Sequence, residues 1–379
     1  MAKSLDKQVS EAAAKQHAEE PVEVLDRRNL LSSGSTLLNL ALTGNPFGGF
    51  LKGYYYFMVG DSASGKTIQA MTVYAEASIN RHFKGYRFIY DNIEHGMLMD
   101  TDSLFSMEMT DRIEPPSRDK TKKPRFSRTL DEFYYHVDDA ANAGVPFIYI
   151  LDSMDALNPE ADEKKFDQLK KAHEKSRRKE DGEDSGDEKE EKTTGSYGMA
   201  KAKLNSVNLR KVQRRIHETG SILIILSQTR DNVGAQYGGK TRGGGHALRF
   251  YATCEFWTSI VETLKKSVRG KARKVGVRVK YSMKKNRHTG KLYDVESDIY
   301  PSYGIDDIGA CIDYLLEEKW WTKEKESIKA TEFGLTAGRE ALIRTIETNG
   351  QTNELRAIVG QCWKEIDDAC SLKRRKKYQ

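Results

Sequence analysis

Long apolar runs are missing from this chain of 379 residues. No stretch approaches the roughly 18 apolar residues that a bilayer-crossing helix needs, and the N-terminus lacks the charged, apolar and small-residue order of a secretion signal. The expectation is a soluble, cytoplasmic protein with no membrane partner. Cysteine is scarce as well. Cys254, Cys311, Cys362 and Cys370 are scattered without a CxxC pair, which speaks against a disulfide framework and against zinc-ligand spacing. Nor does one sign of charge dominate: 62 basic against 56 acidic residues leave a formal charge of +6. That total says little about nucleic acid, so the distribution of charge has to decide.

What is present is a sharply divided chain. Charged residues reach 31% and mean hydropathy is −0.68, yet the apolar 38% gathers in short runs such as YYYFMV, FIYIL and SILIIL. A folded interior with very polar insertions follows, and the length suits one large α/β core with appendages. Residues 1–31 are polar, helical in pattern around Ser10–Glu20 and interrupted by Pro21; they read as an N-terminal arm used for oligomerisation. From Gly53 the pattern becomes strand (Tyr54–Val59), glycine loop (Gly60–Lys66) and helix (Thr67–His82). Further strands are expected at Arg87–Tyr90, Phe147–Leu151 and Ser221–Leu226, with helices around Thr129–Ala143 and Lys201–Glu218. That alternation predicts a mostly parallel sheet with helices on both faces.

Residues 160–192 break the scheme, with 23 charged residues in 33. No packed core forms from that composition, so the segment 160–195 reads as a solvated insertion, helical at first and disordered later. After Val275, VGVRVKYS and LYDVESDIY alternate as strands do and extend the sheet antiparallel. A small helical region with a basic tail, residues 305–379, closes the chain.

Gly60, Asp61, Ser62, Ala63, Ser64, Gly65, Lys66 and Thr67 fit G-x-x-x-x-G-K-[ST], a loop whose backbone N–H groups wrap phosphates at a helix N-terminus. Gly60 and Gly65 permit close backbone approach, Lys66 would bridge the β- and γ-phosphates, and Thr67 would hold Mg²⁺. ATP and Mg²⁺ are therefore the expected cofactors. A second magnesium-side carboxylate belongs at the end of a neighbouring strand, where Asp152 follows FIYIL; Asp155 lies farther past that end. For the residue that polarises the attacking water, Glu94 beyond the strand RFIY is the leading candidate and Asp91 the other.

At these residues the chain resembles the RecA family, including phage members of the UvsX type. The resemblance runs from about Ser32 to Trp321 and is carried by STLLNLALTGNPFGGFLKGYYYFMVGDSASGKT, YDNIEHG, ILDSMDAL and, most specifically, LIILSQTRDNVGAQYGGKTRGGGHALRFYAT. It implies a RecA-like phosphate-loop core over residues 32–304. It assigns Gln228 the sensing of the γ-phosphate at the head of a mobile DNA-binding loop, residues 229–246. That loop has six glycines, Gly243, Gly244 and Gly245 among them, and the cations Arg230, Lys240 and Arg242, which suit mobility and phosphate contact. By the same resemblance Arg249 and Phe250 lie at a subunit boundary, and Lys285 and Arg287 of KKNR reach the ATP of the adjacent subunit.

Between Thr263 and Lys291 there are 12 Lys or Arg and no Asp or Glu, which points to DNA contact or an interface. Two features depart from the family: the charged insertion follows the ILD strand, where the first DNA-binding loop should be, and the chain ends basic. The implied activity is ATP-dependent homologous pairing and strand exchange, with single- and double-stranded DNA, a homo-oligomeric helical filament, and single-strand-binding and loader proteins as partners. A DnaB-like hexameric helicase and a non-catalytic recombination mediator share the same core and stay open at this point.

Overall fold

The computed structural model describes residues 26–95, 99–180, 197–231, 240–243 and 245–375. Most of the N-terminal arm and the acidic end of the insertion lie outside these residues. In chain order, β1 (Leu30–Leu31) and β2 (Phe50–Leu51) form a small antiparallel pair around helix α1 (Thr36–Thr43). Then come β3 (Tyr55–Gly60), α2 (Lys66–Ile79), β4 (Arg87–Asn92), short helices α3 (Thr101–Leu104) and α4 (Met107–Asp111), and β5 (Ile113–Glu114). A surface hairpin, β6 (Ser117–Arg118) and β7 (Pro124–Arg125), leads to α5 (Leu130–Asn142) and β8 (Phe147–Asp152). Helices α6 (Glu160–Glu180) and α7 (Tyr197–Thr219) precede β9 (Ile222–Asp231), β10 (Lys240–Arg242) and α8 (His246–Tyr251). The strands β11 (Cys254–Val268), β12 (Lys271–Asn286), β13 (Asp294–Tyr300) and β14 (Gly304–Asp306) follow, then α9 (Asp307–Glu317). The C-terminal region adds β15 (Thr322–Glu324), β16 (Ser327–Ala330), β17 (Leu335–Ala337), α10 (Arg339–Thr348) and α11 (Thr352–Cys370). It thus holds a three-stranded sheet besides helices; strands of three or four residues leave too short an alternation to read.

The main sheet runs β14-β13-β12-β11-β3-β9-β8-β4-β5, with β10 paired to β9. From β11 through β3, β9, β8 and β4 to β5 the neighbours are parallel, and from β11 to β14 they are antiparallel. This is a RecA-like α/β core, with the antiparallel extension that the alternating texture after Val275 predicts.

Period-two alternation fills both faces. Tyr56, Met58, Ile148, Ile150, Ile222 and Ile224 pack with α1, α2 and the C-terminal helices. Tyr55, Phe57, Tyr149, Leu151, Leu223 and Ile225 pack with α5 and α7. Helix α6, by contrast, leaves Phe166 and Leu169 exposed. Register then does the positioning: Gly60 lies opposite Gln228 and Asn92 opposite Asp152. The carboxyl ends of β3, β9, β8 and β4 therefore form one continuous edge, which is where ligands bind in open parallel sheets.

Candidate nucleotide and nucleic-acid site

The phosphate loop leaves β3 at Gly60 and enters α2 at Lys66. A side chain at Gly60 would overlap the Thr258 hydroxyl on β11, so the loop passes as close to the next strand as backbone allows. Gly65 is the N-cap, with φ 83° and no capping side chain. The first amides of α2 are thus left for an anion, and the helix dipole favours negative charge there. Lys66 is 8% exposed. Its Nζ donates to the carbonyls of Gly60 (2.9 Å) and Asp61 (2.6 Å), and burial lowers its pKa, with Asp152 and Glu94 opposing that shift.

Thr67 Oγ1 donates to Asp152 Oδ2 at 3.0 Å. The same carboxylate accepts from the Tyr90 hydroxyl at 2.8 Å, and burial raises its pKa. A threonine hydroxyl touching a strand-end carboxylate, beside uncapped helix amides and a buried ammonium, fits a magnesium-bound nucleoside triphosphate. Thr67 and Asp152 would share the metal, and the loop amides with Lys66 would hold the phosphates.

The two candidate bases part company here. Asp91 is fully buried and accepts from Ser127 N (3.0 Å), Ser127 Oγ (2.6 Å) and Tyr149 OH (2.7 Å). Its carboxylate joins β4 to the start of α5. Glu94 instead sits past the strand end, where it accepts from Ser153 Oγ and, at 3.0 Å, from Gln228 Nε2. Asp155 carries no metal-side contact. It accepts from Ser227 Oγ (2.6 Å) and Gln228 N (2.7 Å) and so fixes the end of β9.

Beyond Gln228 the chain forms a hairpin, with Thr229, Arg230 and Asp231 opposite Arg242, Thr241 and Lys240. Residues 232–239 and Gly244 lie outside the described residues, and Arg242 is described in its backbone only. The two described cations of this stem both turn toward the nucleotide side: Arg230 faces Asp155 at 3.5 Å, and Lys240 pairs with Asp61, which also accepts from Thr229 Oγ1. The motif marks Asp61 as a loop residue only; its contact with the hairpin stem, like that of Tyr90 with Asp152, depends on register across the sheet and has no local signal. Gly243 and Gly245 flank the approach to α8.

Lys285 donates to the carbonyls of Arg249 (2.7 Å), Phe250 (2.8 Å) and Ala252 (2.7 Å), and Arg287 to that of Phe250 (2.8 Å). Both cations cap the C-terminus of α8, where the dipole favours positive charge. Phe250 itself is 63% exposed. Among the described residues there is no cluster of three or more metal-ligating side chains and no helix long and apolar enough to cross a membrane.

A family model of the RecA N-terminal domain matches residues 185–306. The chain is similar to Protein RecA of a Nitratiruptor species, 26% identical over 365 residues that cover 94% of this chain and 92% of that protein. It is also similar to Protein RecA of Prochlorococcus marinus, at 26% over 87% of this chain and 75% of the relative. Protein RecA of Trichodesmium erythraeum is 28% identical over 84% and 76% respectively. These matches make the chain similar to RecA proteins over most of its length, in agreement with the fold.

Proposed function

We propose that the chain is a DNA-dependent ATPase that assembles as an ATP-bound helical filament on single-stranded DNA, pairs it with homologous duplex and exchanges strands. The observation that carries this reading is the contact between Glu94 and Gln228. It puts the candidate base for hydrolysis in direct touch with the residue that opens the glycine loop, so chemistry and DNA binding meet at one hydrogen bond. With ATP and Mg²⁺ bound, the Glu94 carboxylate accepts the proton of the attacking water, and Lys66 stabilises charge growing on the phosphoryl oxygens. Gln228 exchanges Glu94 for the γ-phosphate, which resets the loop that follows. Lys285 and Arg287 complete the site of the adjacent subunit. The same reading makes single-strand-binding and loader proteins its partners and the cytoplasm, the host's for a phage-encoded chain, its place of work.

Electron microscopy of the protein with ATP and single-stranded DNA tests this. Continuous helical filaments are expected, together with hydrolysis that rises on adding the strand. Closed rings would point to a hexameric motor and isolated particles to a mediator; either would overturn the reading.

A further inference from the structure

The strands β11 and β12 stay paired well beyond the rest of the sheet. β3 covers β11 only at Cys254–Thr258, and β13 covers β12 only at Val277–Ser282. Past those points Lys265–Val268 and Lys271–Lys274 form a two-stranded ribbon closed by Arg269 and Gly270. Both turn residues have positive φ, 53° and 71°, the geometry of a tight two-residue hairpin in which Asn, Asp or Gly is usual at the first position. An arginine is held there at a conformational cost.

Six cations occupy this tip: Lys265, Lys266, Arg269, Lys271, Arg273 and Lys274, all exposed. Lys265 lies opposite Lys274, and Lys266 opposite Arg273. Directly opposed residues share a face and successive pairs alternate, so each face of the ribbon carries a like-charge pair, an arrangement that destabilises an isolated sheet. Among the described residues none of the six side chains makes an ion pair. The ribbon's base differs, because there Arg278 faces Asp298 at 2.7 Å and Lys280 faces Asp294 at 2.7 Å. Among the described residues, then, the tip lacks the counter-charge that its own base possesses.

We propose that this ribbon tip is a binding site for the phosphate backbones of duplex DNA, separate from the glycine loop. A two-stranded ribbon fits the major groove, and cations on both faces suit a groove walled by two phosphate backbones. Residues 263–276 contain no aromatic side chain, so there is no platform for stacking unpaired bases, the device single-strand sites use. Val268 is the one large apolar side chain exposed at the tip, 43%, and a lone valine does not anchor a protein partner. The contacts are phosphate contacts, and binding is independent of sequence and steeply dependent on salt.

This inference rests on the reading of the chain as a DNA-binding protein, and its test separates the two. Full-length protein and a variant with all six cations changed to Ser are titrated by fluorescence anisotropy with a labelled duplex and a labelled single strand, across a salt series. The variant should lose at least about tenfold in duplex affinity near 0.1 M salt, and its log–log salt slope should shallow by up to about 5. Single-strand affinity should stay within about twofold of wild type, and so should single-strand-stimulated ATP hydrolysis. Changing the four lysines to Arg should preserve duplex binding, which separates charge from folding. An unchanged duplex curve would overturn the proposal, as would an equal loss for both DNAs, or tight binding of polyglutamate by the ribbon with duplex affinity untouched. Wild-type protein that binds neither DNA would instead remove the underlying DNA reading, and the ribbon's role with it.

Discussion

Two hairpins of this molecule carry cations, and they treat them in opposite ways. At the stem of the glycine loop, Arg230 faces Asp155 and Lys240 pairs with Asp61. At the tip of the β11–β12 ribbon six cations have no acidic partner among the described residues. The loop stem borders the strand-end edge, where acids gather around a nucleotide-type site, so Arg230 and Lys240, the two cations described there, each have an internal partner. The ribbon tip leaves the sheet behind and has none among the described residues. A charge with a partner inside the chain is positioned for chemistry or for a switch. One without a partner is available to something outside. The same distinction separates Asp91, buried with three donors from Ser127 and Tyr149, from Glu94, exposed past the strand end and in contact with Gln228.

The sharpest test within the edge lies between two acids three residues apart. Glu94→Gln keeps shape and can still accept from Ser153 and Gln228, but an amide cannot take a proton from water. ATP hydrolysis should fall by about 10²- to 10⁴-fold while nucleotide binding and Tm stay near wild type. Loss of binding along with hydrolysis would make Glu94 structural and erase the contrast with Asp91. For Asp91 the expected pattern is reversed. Asp91→Ala strands three donors from Ser127 and Tyr149 in the core, and denaturant unfolding should show a loss of about 2–4 kcal/mol. Refolded protein should keep its turnover per folded molecule; a variant of wild-type stability with lost turnover would hand the base's role to Asp91.

Much of this was legible in the sequence, for reasons that can be named. The phosphate loop is local: glycine spacing, the lysine and the flanking strand and helix are contiguous, so Gly60 to Thr67 are readable as a unit. Asp152 and Glu94 are readable because apolar strands end just before them. Sequence ranks Asp91 and Asp155 behind them but does not show what they do instead, since their partners are donors 36 and 72 or more residues away, on Ser127 and on Ser227 and Gln228. The basic run between Thr263 and Lys291 shows its charge but not its division into a base with carboxylate partners and a tip without, which needs the register of β12 against β13. The pairing of Asp61 with Lys240 is equally invisible, because it joins residues 179 apart that only a parallel strand order makes neighbours.

Lys285 offers the smallest and most specific test, because it stands between the two treatments of charge. It is a half-buried ammonium satisfied by three carbonyls at the end of α8, yet it is proposed to act on a neighbour's nucleotide. Burial, helped by the nearby Arg287 cation, pushes its pKa down from the usual lysine value to about 8. Between about pH 8 and the ordinary lysine range the unfolded chain binds this proton and the folded chain does not, so on this account stability rises with pH through that window. Function moves the other way, since a neutral amine cannot stabilise charge on a γ-phosphate in trans. In the filament the neighbour's γ-phosphate favours the charged amine and moves this titration above the value of about 8 in the single chain, so DNA-stimulated hydrolysis should fall a few-fold at the higher pH where the amine loses its proton. Lys285→Arg, whose guanidinium stays charged, should carry the activity to higher pH. Lys285→Ala should show a low rate without that inflection. If the alanine variant keeps the same inflection, the titrating group is another one, and Lys285 returns to the set of charges whose work ends with a partner inside its own chain.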